Sequence, residues 1–190
     1  HALPRIHRGA LLVPADVDRR HVFAVEFLSR VKVDDQLLHR ILWTDEAHFT
    51  LHGTVNSKNC VIWAEANPHA LSQQFLHDQK VTVWCGFTSC FIVGPFFFEE
   101  LTAKGLRTVT VTGERYRRLL EDLVIPELQQ RQVLQTTIFM QDGAPPHITT
   151  SVKTLLRNHF QDRIISRQFQ HVWPSRSPDL SPADSGCGDT

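Results

Sequence analysis

The sequence lacks an excess of charge of either sign. Its 190 residues carry 20 Lys and Arg against 20 Asp and Glu, so the net charge gives no support to nucleic-acid binding. Any contact with a polyanion must therefore come from a local patch of basic side chains. In other respects the composition is that of an ordinary globular protein, with 42% hydrophobic and 21% charged residues.

Cysteine is scarce, and its spacing excludes the common zinc-binding patterns. Cys60, Cys85, Cys90 and Cys187 form no CxxC pair and have no histidine partners at zinc-finger spacing. Cys85 and Cys90 lie inside apolar runs, which predicts buried, reduced thiols. Reduced thiols are typical of a cytosolic or nuclear protein.

Long hydrophobic runs are also missing. The most apolar stretch, Phe91 to Phe98, contains Pro95 and is far shorter than the roughly 20 residues that cross a bilayer, so no membrane association is expected. The chain opens with His1 and no apolar core follows, so no signal peptide is expected, and we expect the sequence to come from the interior of a longer protein. A length of 190 residues suits one domain, with a short extra segment at one end.

Hydrophobic periodicity predicts a run of strands followed by alternating helices and strands. The expected helices are 14–28, 112–128 and 148–160, and the expected strands are 41–53, 60–63, 81–87, 91–98, 135–142 and 163–166. Strands 81–87 and 91–98 are expected to form a hairpin. A strand meander followed by β–α alternation indicates the α/β class, with a mixed sheet and helices packed on it.

Three acids stand where a strand or loop could present them to a ligand. Asp45 and Asp142 each follow an apolar strand, and Asp184 follows a proline-rich loop. A carboxylate held behind a buried strand is costly unless it is paired, and a divalent cation removes that cost. Several carboxylates with waters suit Mg²⁺ or Mn²⁺, and two such ions can clamp both oxygens of a phosphoryl displacement.

Ordinary structural roles compete with that interpretation. Asp142 with Gly143 is a common turn pair, Asp184 could cap a helix, and Asp45 could accept backbone N–H groups at a strand end. Spacing alone favours these roles for each acid.

Other conspicuous side chains also have ordinary explanations. His147 is more often a structural histidine than a ligand, and the run Phe96 to Phe98 is more often core than a base-stacking platform. Arg115, Arg117 and Arg118 are usually a solvated helix face, although they could contact phosphates.

Six motifs shift this balance because they occur in one order along the chain. They are Trp43-Thr-Asp-Glu-Ala-His-Phe, Val83-Trp-Cys-Gly-Phe, Gly94-Pro-Phe-Phe-Phe, Val111-Thr-Gly-Glu-Arg-Tyr, Gln141-Asp-Gly-Ala-Pro-Pro-His and Trp173-Pro-Ser-Arg-Ser-Pro-Asp-Leu-Ser-Pro-Ala-Asp. Together they resemble the DDE domain of mariner-type transposases and their nematode-element relatives. The resemblance runs from about Ile41 to Asp184.

The resemblance implies a ribonuclease H-like fold, with a mixed five-stranded sheet flanked by helices. The family places its first acid on the first strand, its second just after the fourth, and its third on a following helix. Asp45, Asp142 and Asp184 take these positions, and the last position of the final motif selects Asp184 over Asp179. The separation of Asp142 and Asp184 is longer than the commoner family spacing, which predicts a lengthened region between Arg163 and Trp173.

The same resemblance implies chemistry and partners. Asp45, Asp142 and Asp184 would be the catalytic residues and the ligands of two Mg²⁺ or Mn²⁺ ions, and no covalent intermediate would form. Water and then a 3′-hydroxyl would attack DNA phosphodiesters, with transposon ends and target DNA as partners. His147 and Trp84 would support or pack around the site. A homodimer of the full-length family member and a nuclear location are expected.

The ends of the chain depart from the family. Residues 1–40 resemble only the linker ahead of the catalytic domain (41–184), and the usual helix-turn-helix modules are missing. Residues 185–190 replace an expected helix with a glycine-rich tail that a single-base frameshift would explain. We therefore expect a decayed or incomplete copy with weak or no transposition activity. The alternatives are an inactive remnant that at most binds nucleic acid, and a ribonuclease H-like nuclease outside transposition.

Overall fold

The computed structural model describes residues 5–6, 13–50, 62–63, 80–177 and 180–182. The strands are β1 (Arg5–Ile6), β2 (Ile41–Thr50), β3 (Ile62–Trp63), β4 (Lys80–Phe87), β5 (Ile92–Phe97), β6 (Glu99–Thr102), β7 (Gly105–Thr108), β8 (Ile138–Met140) and β9 (Ile164–Ile165). The helices are α1 (Pro14–Val33), α2 (Leu37–Arg40), α3 (Gly113–Leu119), α4 (Ile125–Gln130) and α5 (Thr150–Phe160), with a π-turn at Leu120–Val124 and a 3₁₀ turn at Pro145–Ile148.

Five of the strands form one mixed sheet in the order β5-β4-β2-β8-β9. The first three are joined antiparallel, whereas β8 lies parallel to β2 and β9 lies parallel to β8. The β4–β5 hairpin is short, as an antiparallel pair allows. The parallel pairs need helical crossovers, which α3 to α5 supply. This arrangement confirms the predicted mixed five-stranded sheet flanked by helices.

Each face of the sheet carries its own hydrophobic core. On one face, Leu42 and Phe139 pack with residues of α3, α4 and α5. On the other face, Trp43 and Met140 pack with Trp173 and with one side of α1. Because successive strand residues point to opposite faces, the unbroken apolar runs at the start of β2 and in β8 serve both cores. Complete burial of each large apolar side chain contributes about 1.5–3 kcal/mol.

Helices α3 and α4 form one continuous rod with an irregular middle. The segment was predicted as a single helix although Pro126 lies within it. A proline inside a helix removes a donor and clashes with the preceding turn. The π-turn widens the helix there, and the Ile125 N–H donates to the Leu120 carbonyl. The rod therefore continues past the proline and buries Tyr116 and Leu128 against the sheet.

Several local expectations need correction or fall outside the described residues. The β6–β7 hairpin was not predicted, because its residues are mostly exposed and give no strong alternation. The predicted strand 60–63 is seen only as β3, which pairs with β1 and not with the five-stranded sheet. Cys85 is half-buried, and burial raises the pKa of its thiol. Cys90 is exposed, so the prediction of a buried thiol was wrong for Cys90. Among the described helices, none has the length and apolarity to span a membrane.

Candidate functional site

The parallel pairing of β2 and β8 brings two predicted acids to the same end of the sheet. The register sets Trp43 beside Met140, and Asp45 and Asp142 each follow two residues later in the chain. Because side chains alternate along a strand, Asp45 lies on the same face of the sheet as Trp43, and Asp142 lines the same cleft as Asp45. The Thr44 hydroxyl donates to the Met140 carbonyl at 2.7 Å and so links β2 to the end of β8.

Both acids open into one cleft at this edge. Its volume is about 330 Å³. The cleft is lined by Thr44, Asp45, Met140, Asp142, Gly143, Ala144, Arg167, Trp173, Pro174, Ser175, Arg176, Ser177 and Ser181. Asp45 is half-buried and accepts the Glu46 N–H at 2.8 Å. Asp142 is 59% exposed and accepts the Ala144 N–H at 3.0 Å.

His147 lies between two carboxylates. Its Nδ1 is 2.5 Å from Asp142 Oδ1, and its Nε2 is 3.1 Å from Glu46 Oε1. Burial lowers the pKa of His147, but hydrogen bonds and charge from Asp142 and Glu46 outweigh it and raise the pKa to about 9. Both ring nitrogens can then donate. Partial desolvation raises the pKa of Asp142, but the hydrogen bond and charge of His147, together with the hydrogen bond from the Ala144 N–H, outweigh it and leave the pKa below its ordinary value.

A buried polar network fixes the loop between Asp142 and His147. Gln141 is fully buried. Its Oε1 accepts the Tyr116 hydroxyl at 2.9 Å, and its Nε2 donates to the His147 carbonyl at 2.9 Å and lies 3.3 Å from Ser166 Oγ. The Tyr116 ring stacks on the His147 imidazole with 4.1 Å between ring centres. The loop is thus held from both ends, and His147 cannot turn without breaking buried contacts.

The opposite wall of the cleft is the segment from Trp173 to Ser177, which α1 holds in place. Arg176 Nη1 donates to Asp16 Oδ2 at 2.5 Å, and Arg20 Nη1 donates to Ser177 Oγ at 3.0 Å. The Asp16 side chain is only 3% exposed. The hydrogen bond from Arg176 holds the pKa of Asp16 below its usual value. Ser181, further along the same segment, also lines the cleft.

The structure brings together two of the three predicted site acids. Asp45 and Asp142 line one cleft on one face of the sheet, and Asp184 lies outside the described residues. His147 is hydrogen-bonded to Asp142, which agrees with the expectation of a structural histidine. Of the run Phe96 to Phe98, Phe98 is core and Phe96 packs against the core, but Phe97 is 55% exposed, so the expectation of core was wrong at that position.

The arginines of α3 are engaged in ion pairs at the surface. Arg115 pairs with Glu100, and Arg117 and Arg118 both pair with Glu114. These pairs support the solvated helix face and leave little reason to assign phosphate contacts there.

Four residues of the site were not singled out from the sequence. They are Asp16, Glu46, Arg167 and Arg176. The position of Glu46 could have been predicted, because strand alternation places its side chain on the face opposite Asp45. There it contacts His147. The Asp16–Arg176 pair joins residues 160 positions apart, so no local pattern could have shown it.

The residues present are compatible with a divalent cation. Carboxylate oxygens are the donors that Mg²⁺ and Mn²⁺ prefer, and Asp45 and Asp142 offer them in a cleft open to water. Within the described part of the chain no group of three or more His, Cys, Asp or Glu side chains is placed to hold a metal. A third protein ligand must therefore come from elsewhere in the chain, or water must complete the coordination.

Comparison with known proteins adds a fold likeness. No family model matches the sequence, and no curated protein does. Among solved structures, the Mos1 transposase paired-end complex with left transposon end is similar with a TM-score of 0.68 and 22% identity, over 97% of this chain and 50% of that one. The crystal structure of the catalytic domain of Mos1 mariner transposase gives a TM-score of 0.61 and 22% identity, over 93% and 70%.

A third neighbour, the Mos1 mariner paired-end complex with Mn, gives a TM-score of 0.65 and 22% identity, over 97% of this chain and 50% of that one. The chain thus spans about half the length of the transposase chains in these complexes. The likeness confirms the ribonuclease H-like fold, in the form found in the mariner transposase catalytic domain.

Proposed function

We propose that this chain is the catalytic portion of a metal-dependent DNA transposase, which hydrolyses and rejoins phosphodiester bonds. One observation carries the proposal: Asp45 on β2 and Asp142, two residues after the adjacent parallel strand β8, line one cleft, in a fold shared with a mariner transposase catalytic domain. Asp184, three positions after the cleft residue Ser181, is proposed as the third acid. DNA is the substrate, which implies a nuclear location, and the full-length protein is proposed to act as a homodimer.

Some side chains of the site would bind metal ions, and others orient the residues that bind them. Asp45 and Asp142, with Asp184, would hold two Mg²⁺ or Mn²⁺ ions. When bound, such ions activate water and stabilise the attacking and leaving oxygens of a phosphoryl transfer. His147 and the Ala144 N–H both donate to Asp142 Oδ1, and Oδ2 is the oxygen proposed to bind a cation. Glu46 holds the far side of the imidazole, and Gln141 with Tyr116 keeps the loop rigid.

Calorimetry with Mn²⁺ tests the proposal on the whole chain. We expect saturable Mn²⁺ binding that Asp142→Asn weakens by at least tenfold, because the substitution removes a charged oxygen donor without changing side-chain volume. Asp122→Asn is the matched control, since Asp122 is exposed on the π-turn and does not line the cleft. Equal affinity in the wild type and Asp142→Asn would contradict a cation site at this cleft.

Cleavage of end-labelled DNA separates the enzyme from an inactive remnant. We expect Mn²⁺-dependent nicking by the wild-type chain that Asp45→Asn and Asp142→Asn abolish. Asp184→Asn should have the same effect if Asp184 is the third acid. A chain that binds Mn²⁺ but never nicks DNA would be the inactive remnant, and the transposase chemistry would be rejected for this copy.

A further inference from the structure

Arg167 lines the cleft together with Asp45 and Asp142, and the proposed function gives it no role. It follows β9, in the turn between Ile165 and His171. The turn is closed by a hydrogen bond from the Ser166 N–H to the His171 carbonyl at 3.0 Å and by a bridge between Ile165 and His171. The Ser166 hydroxyl also donates to the Asp142 carbonyl at 3.3 Å. Arg167 is therefore fixed relative to Asp142 by its immediate neighbour.

Gly143 makes room for the Arg167 side chain. A Cβ atom at position 143 would lie 2.6 Å from Arg167 Cδ and 2.8 Å from its Cβ, distances that real Cβ atoms do not show. The aliphatic part of Arg167 thus packs on the bare backbone directly after Asp142. This packing directs the side chain along the wall of the cleft, and Arg167 is one of its lining residues.

Arg167 also differs from the other arginines near this site in its partners. Arg176 is paired with the buried carboxylate of Asp16, and Arg163 donates to the carbonyls of Leu134 and Thr137. In the part of the chain that the structure describes, no hydrogen bond or ion pair engages the Arg167 guanidinium. An exposed cation beside a cleft with two carboxylates is available to an anion of the ligand.

We propose that Arg167 binds a backbone phosphate of the DNA strand that enters the Asp45–Asp142 cleft. This inference rests on the proposed function, which makes DNA the ligand. Guanidinium groups bind phosphate oxygens through paired N–H donors. Such a contact would offset the repulsion between the two carboxylates and the strand, and it would set the position of the strand along the cleft.

DNA binding in EDTA tests the contact independently of metal and catalysis. Fluorescence anisotropy with a labelled duplex, at several salt concentrations, gives both affinity and salt dependence. We expect Arg167→Gln to weaken binding several-fold and to reduce the slope of log K against log salt by about 0.9, the value for one phosphate contact. Arg167→Lys should keep most of the slope. Arg107→Gln is the control, because Arg107 is exposed on β7 and does not line the cleft.

Gly143→Ala supplies a second variant with a distinct expectation. Its methyl group should displace Arg167, so it should weaken DNA binding as Arg167→Gln does, and the double variant should lose no more. An unchanged slope in Arg167→Gln, or an equal loss in Arg107→Gln, would overturn the inference.

Mn²⁺-dependent nicking by the same variants separates the two proposals. If Asp142→Asn leaves nicking unchanged while Arg167→Gln reduces the slope, the transposase chemistry fails and the phosphate contact stands. If Asp142→Asn abolishes nicking and Arg167→Gln leaves the slope intact, only the phosphate contact fails.

Discussion

Tyr116, the single tyrosine of the chain, shows how much of the site depends on one buried hydroxyl. It lies on α3, far in sequence from the acids, yet its ring supports His147 and its hydroxyl donates to Gln141. Burial is the main cause that raises the pKa of Tyr116 well above its ordinary value, so the hydroxyl remains a donor at any working pH.

Tyr116→Phe should destabilise the protein while leaving the ring stack in place. The substitution removes the donor to Gln141 Oε1 and leaves a buried acceptor without it, at a cost of about 1–3 kcal/mol. Urea unfolding followed by tryptophan fluorescence would measure the difference. An unchanged free energy of unfolding would mean that Gln141 finds another donor and that the Tyr116 hydroxyl does not stabilise the loop.

At the scale of elements, the packing of α3 on α5 depends on a glycine. A Cβ at Gly113, the first residue of α3, would lie 2.5 Å from Thr149 Cγ2, at the start of α5. Two effects oppose each other at this position. Alanine favours a helix over glycine by at most about 1 kcal/mol, whereas overpacking costs about 1–3 kcal/mol.

Gly113→Ala should therefore lower the free energy of unfolding in spite of its better helix propensity. Thermal unfolding of Gly113→Ala, Thr149→Ala and the double variant would show this, because removal of the Thr149 methyl group should relieve the clash. A stabilised Gly113→Ala, or a double variant that is only additive, would show that helix propensity decides at this position.

The link between α1 and the segment Trp173 to Ser177 should respond to acid. The pKa of Asp16 is lowered in the folded state, so its stabilising contribution is present above the unfolded value of about 3.9 and is lost as pH falls through the lower folded value. Urea unfolding between pH 6 and 3 should show a loss that Asp16→Asn reduces. Asp18→Asn, on the same helix but exposed, should behave like the wild type. Parallel pH profiles for all three proteins would contradict the link.

At the scale of the whole molecule, Trp173 joins the layers around the cleft. It packs edge-on against Phe23 of α1 and Trp43 of β2, and it also lines the cleft. Trp173→Ala should cost about 3–5 kcal/mol, the range for a buried aromatic side chain. The adjacent Val172 is 50% exposed, so Val172→Ala should change the free energy of unfolding by less than about 0.5 kcal/mol. Similar losses in the two variants would argue against Trp173 as the connecting residue.

The sequence predicted the mixed five-stranded sheet and two residues that line the cleft, Asp45 and Asp142. Apolar runs before Asp45 and Asp142 predicted two strands; β8 ends two residues before Asp142, whereas β2 continues through Asp45 to Thr50. The pattern of 81–87 and 91–98 predicted the β4–β5 hairpin. Local patterns could not show contacts made across long stretches of chain, such as Asp16 with Arg176. They also did not predict the β6–β7 hairpin, because its side chains are mostly exposed and show no alternation of apolar and polar residues. Asp184 remains a prediction.

The β2–β8 pairing has a kinetic consequence. Thr44 and Met140 touch across 96 positions of chain, and closing so long a loop is slow compared with forming the β4–β5 hairpin. During synthesis, Asp45 can pair with β4 first, but Asp142 joins it only after β8 has left the ribosome. A shortened chain ending before Ile138 could build the antiparallel half of the sheet but would never assemble the cleft.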